Sequence, residues 1–431
     1  MKQFVGTLML LFCGGLLIAQ VSFSSLEEVL QYADKNSLVT RQNKLQQEIS
    51  QKDETINKSG LLPKVNVFGT ADYFPIITSQ VIPEAIFGGS PGKYTKVQFG
   101  LPLSFSSGVE LSIPVINFEK WEQLKRYRLQ SQQTALTAKV NTESLHIQLT
   151  QWYYQALFTH ELVVLNQHDQ QVTDELLRIL GERKNNGVLN PADFNRSKNL
   201  QLDIQAAGIE YEKNYQESII VLQQLLNLPW QDSIKLNDSI AAKNLETIQS
   251  PMPVTSRPSW LEATAKLSVA EQQLKEMQKA GLPKISLNGK YTYQWQMKPS
   301  ASQHVNFDYS SVGLRFDFPI FQGSFYKASR QKAEMQVALA KTMQQQTAND
   351  LTRQESEWWN SYISSFKKRG LLRQKMTVSE DNLRIAQLNM KEGVMEFDEF
   401  NNIFREYNKA KMDYLQNFND NIVYQLLLTI K

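Results

Sequence analysis

Two stretches of this sequence, from about Glu119 to Asn185 and from about Phe325 to Glu392, contain no proline and one glycine each, Gly181 and Gly370. At 1.5 Å per residue, a helix over either stretch would be roughly 100 Å long. Ordinary globular helices run to about 11 or 12 residues. Helices this long need partners along their whole extent. Leu145, Leu149, Trp152 and Ala156 follow the alternating four- and three-residue spacing of a coiled-coil seam. Gln, Asn, Lys, Glu and Thr surround it. With 42% hydrophobic and 21% charged residues, the chain suits long helices packed side by side in water better than a thick globular core.

The two stretches belong to a duplication. Leu62-Pro63-Lys64 returns as Leu282-Pro283-Lys284, and Leu145, Trp152, Gly187-Val188 and Phe194 return as Leu351, Trp358, Gly393-Val394 and Phe400. The offset shrinks between these blocks. The first half must therefore carry extra residues between Lys64 and Leu145, and the Pro/Gly-rich run from Pro75 to Lys93 is their expected place. The period is far longer than that of a solenoid. Each half reads helix, strand, strand, very long helix, turn, helix. The opening helix starts at Ser24 or Ser25 with a capping-box pattern (Glu27, Glu28) and is expected to run to about Lys58. The resulting division is residues 20–228 for the first repeat, 229–258 for an inter-repeat linker and 259–431 for the second repeat.

The first residues differ from the rest. Lys2 precedes an apolar run from Val5 to Ile18, and Ala19 offers a small residue at a cleavage point, so residues 1–19 read as a secretory signal peptide. Phe12 is too large for a good lipoprotein cleavage site before Cys13. Cleavage after Ala19 would leave no cysteine, hence no disulfide framework and no thiolate metal site. No later run approaches the roughly 20 apolar residues of a membrane helix. An exported chain can still enter a membrane as β-strands.

The strands fit that role. Ile285, Leu287, Tyr291, Tyr293, Trp295 and Met297 alternate with Ser286, Asn288, Lys290, Thr292, Gln294 and Gln296, with Gly289 the gap. Val312, Leu314, Phe316 and Phe318 alternate with Gly313, Arg315 and Asp317. In the first half Val65, Val67, Ala71 and Tyr73 form one face, blurred by Phe68, and the return strand is expected along Val97, Phe99, Leu101, Leu103 and Phe105. Segments of about ten residues, apolar outward and polar inward, mark a transmembrane β-barrel. Four strands cannot close one, and open edges are not tolerated in lipid. Several chains must then share a barrel, so a homo-oligomer is expected.

The long helices should end in turns. Gly187 suits a helix C′ position, Asn190 an N-cap, Pro191 the first helical position, and Asp193 the first turn. Gly393-Val394-Met395 repeats the pattern. At these turns the chain resembles the TolC-like outer-membrane efflux proteins. The resemblance rests on Ser25-Leu26-Glu27-Glu28-Val29-Leu30, the strand entries Leu61-Leu62-Pro63-Lys64 and Gly281-Leu282-Pro283-Lys284, both Gly-Val turns and the duplication. It implies a trimer with a twelve-stranded barrel in outer-membrane lipid and a hollow periplasmic helical tunnel. It also implies turns (Gly187, Val188, Leu189, Gly393, Val394, Met395) that dock a periplasmic adaptor (membrane fusion) protein serving an inner-membrane transporter. Acidic residues six positions after each turn glycine, Asp193 and Glu399, would then lie at the tunnel entrance. Where some members have a further acidic residue this chain has Asn402, and where some have arginine it has Met395. A single ring of Glu399 would favour cations.

Other chemistry finds little support. His146, His160, His168 and His304 lack metal-ligand spacing, the eleven methionines are scattered, and there is no P-loop or dinucleotide motif. A net charge of +3 over 431 residues gives no basis for nucleic-acid binding. No enzyme and no cofactor is expected. The competing expectation is a periplasmic coiled-coil scaffold without a channel.

Overall fold

A computed structural model describes residues 20–240, 253–298 and 303–429. The signal-peptide reading, with Cys13, and the middle of the 229–258 linker lie outside the described residues. In chain order the elements are β1 (Gln20–Phe23), α1 (Leu26–Asn36), α2 (Leu38–Ser59), β2 (Lys64–Tyr73), β3 (Ser79–Pro83), β4 (Tyr94–Gln98), β5 (Leu103–Ile116), α3 (Phe118–Asn185), α4 (Pro191–Leu226), β6 (Ser233–Leu236), α5 (Pro258–Lys279), β7 (Lys284–Lys298), β8 (Gln303–Asp317), α6 (Phe325–Glu392) and α7 (Phe397–Thr429). The two long helices are single elements of 68 residues each, as the absence of proline permits.

Three expectations need correction. The opening helix is two helices. At Ser37 the backbone turns extended, with ψ of 143°, and the Ser37 hydroxyl accepts from the Val39 amide at 3.2 Å, which caps α2 in place of continuing α1. The return strand of the first half begins at Leu103, not Val97. Gly100, at φ +109°, and Pro102 end the alternation there, and Val97 belongs to β4. The described residues open on β1, ahead of the first helix, and β1 pairs in parallel with β6, Val21 opposite Ile234.

The chain forms two compact units, each built from separated stretches of the sequence. One comprises residues 47–134 and 263–344 and holds a four-stranded antiparallel sheet in the order β2-β5-β7-β8, with the separate hairpin β3–β4 between β2 and β5. That hairpin occupies the stretch where the first half was expected to carry extra residues. Beside the sheet, Arg126 donates to Glu276 at 2.7 Å, and the Gln272 amide donates to Glu122 at 2.6 Å.

The other unit comprises residues 1–46, 135–262 and 345–431. It contains two apolar cores. The first gathers Phe23, Val29 and Ala33 with Leu145, Leu149, Tyr153, Leu157, Leu162 and Leu165, together with Leu222, Leu226 and Ile422. The seam read from the sequence is therefore buried, with Trp152 packed at its edge. The second core gathers Leu176, Leu180 and Leu200 with Met390, Phe397, Phe400 and Phe404. Along α3 the two are separated by buried polar residues, Asn166, Asp169 and Thr173. Asn166 donates to the Ile204 carbonyl at 2.8 Å and so joins α3 to α4 through a polar contact.

Candidate functional site

The sheet has one apolar and one polar face, fixed by register. Val65 pairs with Leu111, Val67 with Val109, Val109 with Tyr291, and Leu111 with Gly289, which in turn faces Val312. Leu287 and Leu314, then Ile285 and Phe316, continue the same face. Several of these side chains are largely open to solvent in the single chain: Val67 is 81% and Val312 80% exposed. Exposure of a contiguous apolar surface on this scale marks an interface with lipid or protein. Phe105 and Trp295 pack at 5.3 Å between ring centroids on this face.

The other face carries Asn66, Thr70, Ser104, Ser106, Glu110, Lys290, Thr292, Gln294 and Gln296. Lys290 bonds to Glu110 at 2.8 Å, and Gln294 donates to Ser104 at 2.8 Å. Phe68, the residue that blurs the alternation, sits on this polar face under the Lys290 ammonium, 4.3 Å from the ring centroid. Its ring lies against Gly108, where a Cβ would come within 3.0 Å of it. A cation over an aromatic face is attracted by the ring quadrupole, which makes room for one phenyl ring among polar groups.

Near the far end of β8 the faces exchange character without a register shift. Val305, Phe307 and Tyr309 lie opposite Gln296, Gln294 and Thr292, on the polar face, while Asn306 and Asp308 share the apolar one. The Tyr291 hydroxyl donates to Asp308 at 3.1 Å, and Asn306 donates to the Tyr293 hydroxyl at 2.7 Å, so both polar residues are satisfied beside aromatic rings.

The two turns are built alike. Gly187 and Gly393 take φ of +73° and +82°, the left-handed geometry that closes a helix end. Amides of Val188 and Val394 donate back to the carbonyls of Arg183 and Asn389 at 3.0 Å each. Asn190 accepts from the Ala192 amide at 2.9 Å as N-cap, with Pro191 beginning α4. Val188 and Val394 are each 75% exposed, whereas Leu189 and Met395 pack against the second core. Each turn therefore presents one bare valine, held in place by the residue after it.

The structure brings these turns together through residues the sequence did not single out. Arg183 donates to the Met390 carbonyl at 2.6 Å and so satisfies an end carbonyl of α6. Arg196 donates to Asp398 at 2.8 Å and lies 3.5 Å from Asp193. Asp193 thus shares an arginine with the opposite turn, and Glu399 is exposed. The partners lie some two hundred positions apart, so only the charge types, not their pairing, were visible beforehand. Among the described residues no group of three or more metal-ligating side chains is found, and no helix is long and apolar enough to cross a membrane.

Residues 254–420 match the family of outer membrane efflux proteins. No curated protein matches the chain in sequence. Among solved structures, a membrane protein of Pseudomonas aeruginosa is similar with a TM-score of 0.75 and 16% identity, covering 95% of this chain and 90% of that one. The CmeC outer membrane channel of Campylobacter jejuni gives 0.75 and 14%, covering 94% and 85%. The open state of the MtrE outer membrane channel of Neisseria gonorrhoeae gives 0.70 and 16%, covering 94% and 88%. At these identities the likeness is one of fold.

Proposed function

We propose that the chain, whose residues 254–420 match the outer membrane efflux protein family, is a member of that family and an outer-membrane channel subunit of a multicomponent efflux or export system. It acts as a passive conduit from periplasm to outside. The observation that carries this reading is the β2-β5-β7-β8 sheet, apolar on one face and left with two unpaired edges. In lipid each unsatisfied backbone group costs several kcal/mol. The edges β2 and β8 run antiparallel, so copies can pair β8 of one to β2 of the next. Three copies supply twelve strands and close the ring.

A second feature supports assembly. Leu371, Val378, Ile385 and Leu388 form a heptad seam on α6, and all four are exposed in the single chain. A helix of a neighbouring copy would cover it. The remaining partners are a periplasmic adaptor received at Val188 and Val394 and an inner-membrane transporter behind it. The polar face of the sheet lines the lumen. A coiled-coil scaffold with no channel would leave the apolar sheet face in water and gives no account of it.

The test is behaviour in detergent. The purified protein should run as an SDS-resistant oligomer that dissociates on heating and should conduct ions in planar bilayers; a monomer stable in plain buffer would sink the reading. Glu399→Gln should lower the preference for cations in single-channel recordings, because a ring of carboxylates at a constriction is a selectivity element. Unchanged reversal potentials would remove Glu399 from that role.

A further inference from the structure

We propose that the β3–β4 hairpin of each subunit docks on the inner wall of the adjacent subunit, over Val305, Phe307 and Tyr309, and narrows the channel mouth. The inference rests on the shared-barrel reading above. Its starting point is the exchange of faces on β8: Val305, Phe307 and Tyr309 are 53%, 45% and 48% exposed, on the face that carries Gln294, Gln296, Ser104 and Ser106. On a wall lined with water this apolar trio has no purpose of its own. Register is unbroken from Lys284–Asp317 to Lys298–Gln303, so the trio cannot be turned toward lipid by a bulge.

Topology identifies what covers it. Tyr73, Leu103, Met297 and His304 lie in one row across the sheet, at the end away from the helices. The chain leaves β2 at Tyr73 and enters the hairpin directly. When β8 of one subunit pairs with β2 of the next, the neighbour's hairpin emerges beside the start of β8, where the trio sits. The hairpin carries apolar side chains left uncovered in its own chain: Val81 and Tyr94 are exposed, as are Ile86 and Phe87 at its tip. Pro83 pairs with Tyr94 and Val81 with Lys96, so Val81, Pro83 and Tyr94 share one face with Lys96, and the tip is the most apolar part. Uncovered apolar side chains of two copies thus meet where β8 of one joins β2 of the next.

The chain has a single cysteine, Cys13, so engineered pairs are readily followed. Full-length protein carrying Phe87→Cys and Phe307→Cys, and separately Ile86→Cys with Val305→Cys, is purified in detergent and treated with a short thiol crosslinker. The expected product is a ladder of covalent dimers and trimers on denaturing gels, absent from each single variant. Light scattering reports the native mass of the same samples. Oligomers of full mass that give no link, or only a link within one chain, overturn the hairpin proposal and leave the channel reading standing. Monomers overturn both.

Discussion

At pH 8, Asp169→Asn is expected to stabilise the purified protein by about 4 kcal/mol, and by markedly less at pH 5. Asp169 lies on α3 in the polar layer between the two apolar cores and is only 4% exposed. Its Oδ1 is buried with no hydrogen-bond partner, and the nearest ring nitrogen, on His168, is 3.8 Å away. Burial is the dominant influence and pushes its pKa up from 3.8 to about 7, against the opposing pull of Lys411 and a hydrogen bond with Asn408, both on α7. Lys411 is itself engaged with the Tyr407 hydroxyl at 3.2 Å. On α4, Tyr211 responds to the same carboxylate: burial, then the Asp169 charge, raises its pKa.

The sign of the pH dependence follows from where the proton is held more tightly. The folded protein keeps the Asp169 proton to about pH 7, whereas the unfolded chain releases it near its ordinary value, about 3.9. Below pH 4 the side chain is neutral in both states and contributes no penalty. Between pH 4 and 7 folding becomes less favourable by about 1.4 kcal/mol per pH unit, and above 7 the loss is constant. Asparagine has the same shape and no charge, so it removes the loss only where there is one. The measurement is thermal unfolding of both proteins from pH 5 to 8. The gap between them should widen by about 3 kcal/mol over that range; parallel curves would mean that Asp169 is ionised in the folded protein without cost.

This layer was invisible in the sequence, and the reason is physical. The long helices were legible because proline is absent from them and each holds a single glycine, and the turns because glycine, asparagine and proline each have a distinct backbone preference. Asp169 looks like any surface aspartate on a polar helix. Only the packing of α4 and α7 against α3 buries it. The break at Ser37 was missed for a related reason: a serine in a helical pattern signals a cap only when its hydroxyl takes the Val39 amide. The first return strand was misplaced because its alternation continued through Gly100, whose positive φ interrupts the pairing. On β8 Val305, Phe307 and Tyr309 alternate with a parity opposite to that of Val312, Leu314 and Phe316, but the sequence does not reveal whether a bulge between them restores one common face. The unbroken register across β7 shows that none does. In the same way the turn residues themselves were readable, while the arginines joining the turns were not.

Arg257→Met is expected to destabilise the protein by about 3–5 kcal/mol, the cost of leaving a buried carboxylate without its cation. Arg257 closes the short 3₁₀ turn Val254–Ser256 ahead of α5 and is only 3% exposed. Its Nη1 donates to Glu143 of α3 at 2.9 Å and its Nε to Glu355 of α6 at 3.3 Å, with the Trp358 ring 5.8 Å from the guanidinium. One arginine thus ties α3 to α6, and both carboxylates are themselves buried. At the offset that carries Leu145 onto Leu351, Glu355 corresponds to Leu149, a fully buried leucine of the first core, so equivalent sequence positions make an apolar contact in one stretch and a charged one in the other. If the effect of Arg257→Met comes from stranded charge, adding Glu143→Gln and Glu355→Leu should recover most of the loss, since replacing a complete buried ion cluster by apolar or neutral groups is often neutral or stabilising. Melting temperatures of the single and triple variants, taken at one pH and detergent concentration, decide this. A triple variant no more stable than Arg257→Met would locate the effect in lost packing against Trp358 rather than in the two glutamates.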